Sequence, residues 1–302
     1  TNLNIFMKIF DCFMYFDEEV VLDVRLNTLD QFVDYFVIVE SKFTHRGDKR
    51  ELKFNHKKFN KFKDKIIYLI YEETSYKIET VLDDDDEAEK SSKYILNAAL
   101  RENGQRNYIQ NGLEKANDDD IILISDVDEI PNLSKINFSQ FNQKIILFKQ
   151  DMFYYKFNLC IPNLKWTGTK ACKKKDLINP QWIRNIKDRK YPFFRIDTYF
   201  SDTKYISIKI IKNGGWHFSN IKNAKQIEHK LKSYLHHREF DLKPLTTKKI
   251  EKIIDDKKAI YDLKVDKRTN KIGDGSKLEK FELNKLPVHV QKNYNIYKEW
   301  ID

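Results

Sequence analysis

The chain is poor in the residues that build covalent, repetitive or membrane-spanning scaffolds. Its 302 residues include three cysteines, eight glycines and six prolines. Cys12, Cys160 and Cys172 stand far apart with no CxxC spacing. That pattern excludes a disulfide-stapled fold or a zinc ribbon and points to reduced thiols in a cytosol-like compartment. So little glycine and proline excludes collagen-like and low-complexity sequence. No apolar run reaches the ~18 residues that span a bilayer, and the N-terminal segment lacks a signal-peptide pattern.

What remains is a globular composition, 41% hydrophobic and 14% aromatic, with a net charge of +9. The charge is unevenly spread. Residues 1–150 hold 21 basic and 28 acidic side chains, whereas residues 151–302 hold 34 and 18. An acidic half joined to a basic half suits a metal site facing a polyanionic ligand. A solvated, lysine-rich surface is the plainer explanation, and nucleic acid is the other usual partner of a basic half.

Strand-like and helix-like segments alternate through the first half. Ile5–Phe16, Asp34–Glu40, Lys65–Tyr71, Asp120–Ser125 and Ile145–Phe148 read as strands; Val20–Leu29, Ser91–Leu100 and Gln105–Ala116 follow a helical period. This alternation predicts an α/β fold with a mostly parallel central sheet flanked by helices, binding its ligand at the carboxyl ends of the strands. The second half reads as mixed α+β. Strands are expected at Phe153–Phe157, Phe193–Phe200 and Tyr205–Lys212, and a basic loop between Lys170 and Lys190. A helix capped by Ser219 or Asn220 should follow, then one capped by Thr246 or Thr247, then a polar loop at Lys264–Lys280. No repeat and no Pro-, Gly- or Ser-rich linker divides the chain, so one domain over residues 1–302 is expected.

The sharpest feature is Ser125-Asp126-Val127-Asp128-Glu129-Ile130-Pro131. A buried apolar strand runs into three carboxylates within four residues. Carboxylates this close repel one another and are most comfortable around a divalent cation. Hard oxygen ligands suit Mg²⁺ or Mn²⁺, which also take substrate phosphate oxygens. An acidic surface turn is the ordinary reading of D-x-D alone.

Six stretches, in order, give the chain a family likeness. They are Ile9-Phe10-Asp11-Cys12-Phe13, Arg25-Leu26-Asn27-Thr28-Leu29, Phe36–Ser41 with Thr44, Gln105-Arg106-Asn107, Leu123–Pro131, and Gly214–Ser219 (GGWHFS). Together they resemble glycosyltransferase family 17, the β-1,4-mannosyl-glycoprotein 4-β-N-acetylglucosaminyltransferases, which have the Rossmann-like GT-A fold. The resemblance implies an inverting, metal-dependent transfer of N-acetylglucosamine from UDP-GlcNAc to a glycan or glycoconjugate acceptor, with Mn²⁺ or Mg²⁺ as cofactor. It makes residues 1–150 the nucleotide-sugar-binding half and residues 151–302 the acceptor-side half. A GT-A transferase building bacterial or viral surface polysaccharide from another nucleotide sugar is the nearest alternative, and a nucleotidyltransferase would share the paired carboxylates. A basic nucleic-acid-binding protein is the reading from a different class, but no nucleic acid is expected as partner.

The same resemblance implies the site. Asp126 and Asp128 would hold the metal against the diphosphate, Asp128 as direct ligand and Asp126 nearer the ribose or a metal-bound water, with His217 as third ligand at the start of the long helix and Glu129 as an orienting neighbour. Glu40 would meet uracil or ribose, Gln105 and Arg106 a phosphate or the sugar, and Trp216 or Trp166 a sugar ring. An inverting transfer needs a carboxylate base, for which Glu239 and then Asp151 are the candidates. Golgi relatives carry an N-terminal membrane anchor. Its absence, with free thiols and a family match starting near Met7, gives a cytoplasmic bacterial or viral protein as the expectation, with peripheral membrane contact open.

Overall fold

The computed structural model describes residues 7–72, 77–261 and 275–302. Most of the polar segment expected at Lys264–Lys280 lies outside the described residues. The first half runs β1 (Ile9–Tyr15), α1 (Glu19–Leu29), β2 (Tyr35–Ser41), β3 (Ile66–Tyr71), α2 (Glu87–Asn107) and β4 (Ile121–Asp126). The four strands lie parallel in the order β3-β2-β1-β4. Their near-continuous apolar runs follow from burial on both faces, because successive side chains point to opposite sides. Phe13, Phe36, Ile38, Ile121 and Leu123 enter one core layer, and Phe10, Cys12, Val37, Val39, Ile122 and Ile124 the other. Helix α1 packs Val21, Leu22, Val24, Leu26 and Leu29 into the first layer. Chain order reverses at β1, which has β2 on one side and β4 on the other. A crevice at the carboxyl ends of such strands is the usual ligand site of an open α/β sheet.

The two helices expected at Ser91–Leu100 and Gln105–Ala116 are instead one 21-residue helix, α2, followed by a 3₁₀ turn at Tyr108–Gly112. A capping box at Asp86 and Glu89 starts α2. Gly104 does not break it. A Cβ there would lie 2.2 Å from Tyr71 Oη, so the missing side chain leaves room for the tyrosine ring at the end of β3.

The second half continues the same sheet. It contains β5 (Glu129–Pro131), β6 (Ile145–Tyr154), β7 (Leu159–Lys173), α3 (Pro180–Asn185), β8 (Ile208–Ile211), β9 (Gly215–Ser219), α4 (Ala224–Ser233), α5 (His237–Leu242), α6 (Thr247–Asp255), β10 (Glu279–Lys280), α7 (Val288–Lys292) and α8 (Tyr294–Tyr297). The principal order is β3-β2-β1-β4-β7-β6-β9-β5. Only Val127 and Asp128 link β4 to β5, yet these strands stand far apart along that order, so the sheet must curl. The outcome is the Rossmann-like central sheet flanked by helices, extended by antiparallel pairing at β7.

Four expectations for this half fail. Of Phe153–Phe157 only the first two residues are strand, the end of β6, and the chain turns at Tyr155, whose φ is 64°. GGWHFS is strand β9, and the helix starts later, at Ala224, with a capping box at Asn223 and Gln226. Much of the expected Lys170–Lys190 loop is ordered as the end of β7, a 3₁₀ turn and α3. Phe193–Phe200 is no strand: it ends in a 3₁₀ turn at Ile196–Phe200 whose apolar side chains are largely exposed.

Candidate active site

The acidic turn is shaped from inside by Arg25. This α1 residue is fully buried, and its guanidinium takes both oxygens of Asp11 at 2.8 and 2.6 Å. Its Nη1 donates to the carbonyl oxygens of Asp126, Val127 and Glu129 at 3.1, 3.1 and 2.8 Å, and Nη2 donates to Ser125 Oγ at 2.9 Å. One planar cation thus fixes the backbone from β4 to β5.

Above it lies a cavity of about 230 Å³ at the carboxyl ends of β1, β2 and β4. Tyr15, Phe16 and Phe43 supply aromatic wall, His45 and Gln105 polar wall, and Asp126 and Asp128 the acidic side; Lys230 enters from α4.

The carboxylates have different surroundings. Asp126 Oδ1 accepts from Arg106 at 3.0 Å, and Oδ2 from Arg184 at 3.1 Å. Burial works against the ionised form, but Arg184 and Arg106 outweigh it and hold the Asp126 carboxyl well below the usual range. Asp128 Oδ1 instead lies 3.4 Å from His217 Nε2. Burial opposes both charges here too; the pair nonetheless lowers the Asp128 pKa and raises that of His217. Register explains the meeting, since His217 of β9 is directly opposite Glu129 of β5. Glu129 is buried and joins the parts: it accepts from Arg184 at 2.7 and 3.0 Å, from Trp166 Nε1 at 2.8 Å, and from the Asp126 amide at 2.9 Å.

Asp128 and His217 fit a divalent cation as two neighbouring ligands. Adjacent donors on an octahedral ion with bonds of ~2.1 Å stand ~3 Å apart. His217 Nδ1 is buried and has no hydrogen-bond partner among the described residues. Asp126, by contrast, is already neutralised by two arginines. Among the described residues no group of three His, Cys, Asp or Glu side chains is spaced to hold a metal.

The remaining expected residues divide by strand face. Gln105 lines the cavity, donating to Val39 O at 3.0 Å and facing His45 Nε2 at 3.2 Å. Arg106 reaches Asp126 and also takes Glu102 at 2.7 Å. Asp151 and Trp216 lie away from this cavity: they pair with each other across β6 and β9, whereas Met152 pairs with His217. Period-two alternation turns them to the opposite face, where both line a different cleft. There Asp151 holds Lys165 at 2.6 Å, and Trp216 Nε1 donates to Lys285 O at 2.9 Å. Glu40 is fully buried below the cavity wall. Its oxygens accept from Arg50, Tyr68 and the amides of Lys53 and Phe54, so it fastens a loop. Glu239 is half-exposed on α5, engaged by Tyr261 Oη and 3.3 Å from His236 Nδ1; it is not on the cavity wall.

Arg184 is the functional candidate that sequence reasoning missed. It sat in a stretch read as loop, although Asn179 followed by Pro180 is a cap and first-turn proline that signals a helix start. Lys230 and His45 belong to no local motif; α4 and the loop after β2 bring them to the cavity.

No curated protein and no solved structure matches the chain. The model of glycosyltransferase family 17 matches residues 2–299. A match over nearly the whole length, on a fold whose strand ends carry this cavity, identifies an enzyme: the chain belongs to glycosyltransferase family 17 and is a glycosyltransferase.

Proposed function

We propose that the enzyme transfers N-acetylglucosamine from UDP-GlcNAc to a glycan acceptor with inversion to a β-linkage, using Mn²⁺ or Mg²⁺. The observation that carries this reading is Asp128 on the wall of a cavity at the sheet's switch point, with His217 3.4 Å from its carboxylate. The aromatic wall suits a base. Arg50 and Lys230 on the cavity wall, with Arg106 and Arg184 behind Asp126, give the positive surroundings that a diphosphate requires. The cation, held by Asp128 and His217, would neutralise charge on the departing diphosphate. Asp126 acts through its arginines, keeping Arg106 and Arg184 fixed beside the phosphates.

The acceptor hydroxyl must lose its proton as its oxygen bonds to the anomeric carbon and the carbon–phosphate-oxygen bond breaks. Asp151 faces away, and Glu239 stands outside the cavity wall. Among the lining carboxylates beyond the acidic turn, Glu102 is held by Arg106. Glu18 keeps Oε1 free of hydrogen bonds among the described residues, 3.8 Å from Lys230 Nζ. We therefore assign the base to Glu18. In a UDP-release assay with UDP-GlcNAc and acceptor glycans, Glu18→Gln should lower kcat by about 10²–10⁴-fold while leaving donor affinity near wild type. Near-normal turnover of Glu18→Gln, with loss in Glu239→Gln, would return the role to Glu239.

A further inference from the structure

The segment that follows α3 takes no part in the site, and its surface is chemically distinct. Phe193, Phe194, Ile196, Tyr199 and Phe200 are 79%, 68%, 71%, 71% and 87% exposed. Five large apolar side chains presented together on a short stretch mark an interaction surface rather than ordinary scatter. The base of this protrusion is fastened: Trp182 Nε1 donates to Asp202 O at 2.7 Å, and the Lys187 amide donates to Thr203 O at 2.8 Å. The protrusion begins just after α3, the helix that carries Arg184 to Asp126.

Charge around the aromatic tip is unbalanced. Asp188 is taken by Lys149, and Asp197 by Arg195 and Lys204. Lys187, Arg189 and Lys190 are exposed and make no ion pair among the described residues. An aromatic tip with a free basic collar is what an anionic bilayer surface selects: rings settle at the headgroup–acyl boundary and cations lie among the headgroups. No helix among the described residues is long and apolar enough to cross a membrane.

We propose that the protrusion at residues 187–204 docks the enzyme onto an anionic lipid surface. Co-sedimentation with phosphatidylcholine vesicles, with and without phosphatidylserine, tests it on the full chain. The wild type should pellet with the phosphatidylserine vesicles and stay in solution with phosphatidylcholine alone. Phe193→Ser/Phe194→Ser/Phe200→Ser should lose binding by more than about tenfold. Arg189→Ala/Lys190→Ala should lose about fivefold per residue and should fold normally, because both side chains stand in solvent. Melting temperature and UDP binding read alongside separate this result from the donor assignment. The proposal is overturned if the wild type ignores anionic vesicles, or if either variant binds them as well as the wild type. It is also overturned if sedimentation velocity shows a wild-type dimer that the aromatic variant converts to monomer, for the tip would then be a protein interface.

Discussion

An Arg25→Met enzyme should be less stable by on the order of 3–5 kcal/mol, the usual loss when one partner of a buried ion pair is removed. Methionine approximates the aliphatic stem, so the cost comes from what the guanidinium leaves behind. Asp11 would be a buried carboxylate without its counter-ion, and three carbonyls of the acidic turn would lose their donor. Urea unfolding gives the measurement. The double variant Asp11→Leu/Arg25→Met should recover part of the loss, since it buries no unpaired charge. A loss below about 1 kcal/mol for Arg25→Met would show that the turn holds itself.

Asp128→Asn should have the largest effect on activity. The side chain is 12% exposed, and the only ion-pair partner it has among the described residues is His217, so the fold should survive. The carboxylate charge facing His217 disappears, and with it one of the two donors proposed for the cation. Turnover should fall by about 10³-fold or more, the scale of losing the positive charge, here that of the proposed cation, set against a developing anion. Asp126→Asn should behave differently, loosening Arg106 and Arg184 while leaving the Asp128–His217 pair in place. Equal and small effects of the two variants on metal-dependent UDP binding would contradict the division of roles.

The parallel half of the sheet was legible because its strands are buried on both faces, and such strands advertise themselves as apolar runs. The acidic turn was legible for the same reason: β4 ends where apolar residues give way to carboxylates. Strand β7 hid its identity because Pro162, Asn163, Lys165 and Lys170 interrupt its apolar pattern. The histidine of GGWHFS lies beside Asp128, but on a strand and not a helix, since a short strand next to a helix cap has too little period to declare itself. The face of Asp151 and Trp216 is not legible in the sequence, because a single strand position decides which side of the sheet a residue lines. Arg184 needed tertiary structure, because its partners are 55 and 58 residues away in sequence.

Family membership brings with it the proposal that a nucleotide-sugar diphosphate and a cation meet at Asp128 and His217. Titration calorimetry of UDP into the wild-type enzyme, with Mn²⁺ and then with EDTA, tests that meeting directly. Saturable binding with Mn²⁺, abolished by EDTA and by Asp128→Asn, is the expected result. UDP binding of equal affinity under all three conditions would contradict it.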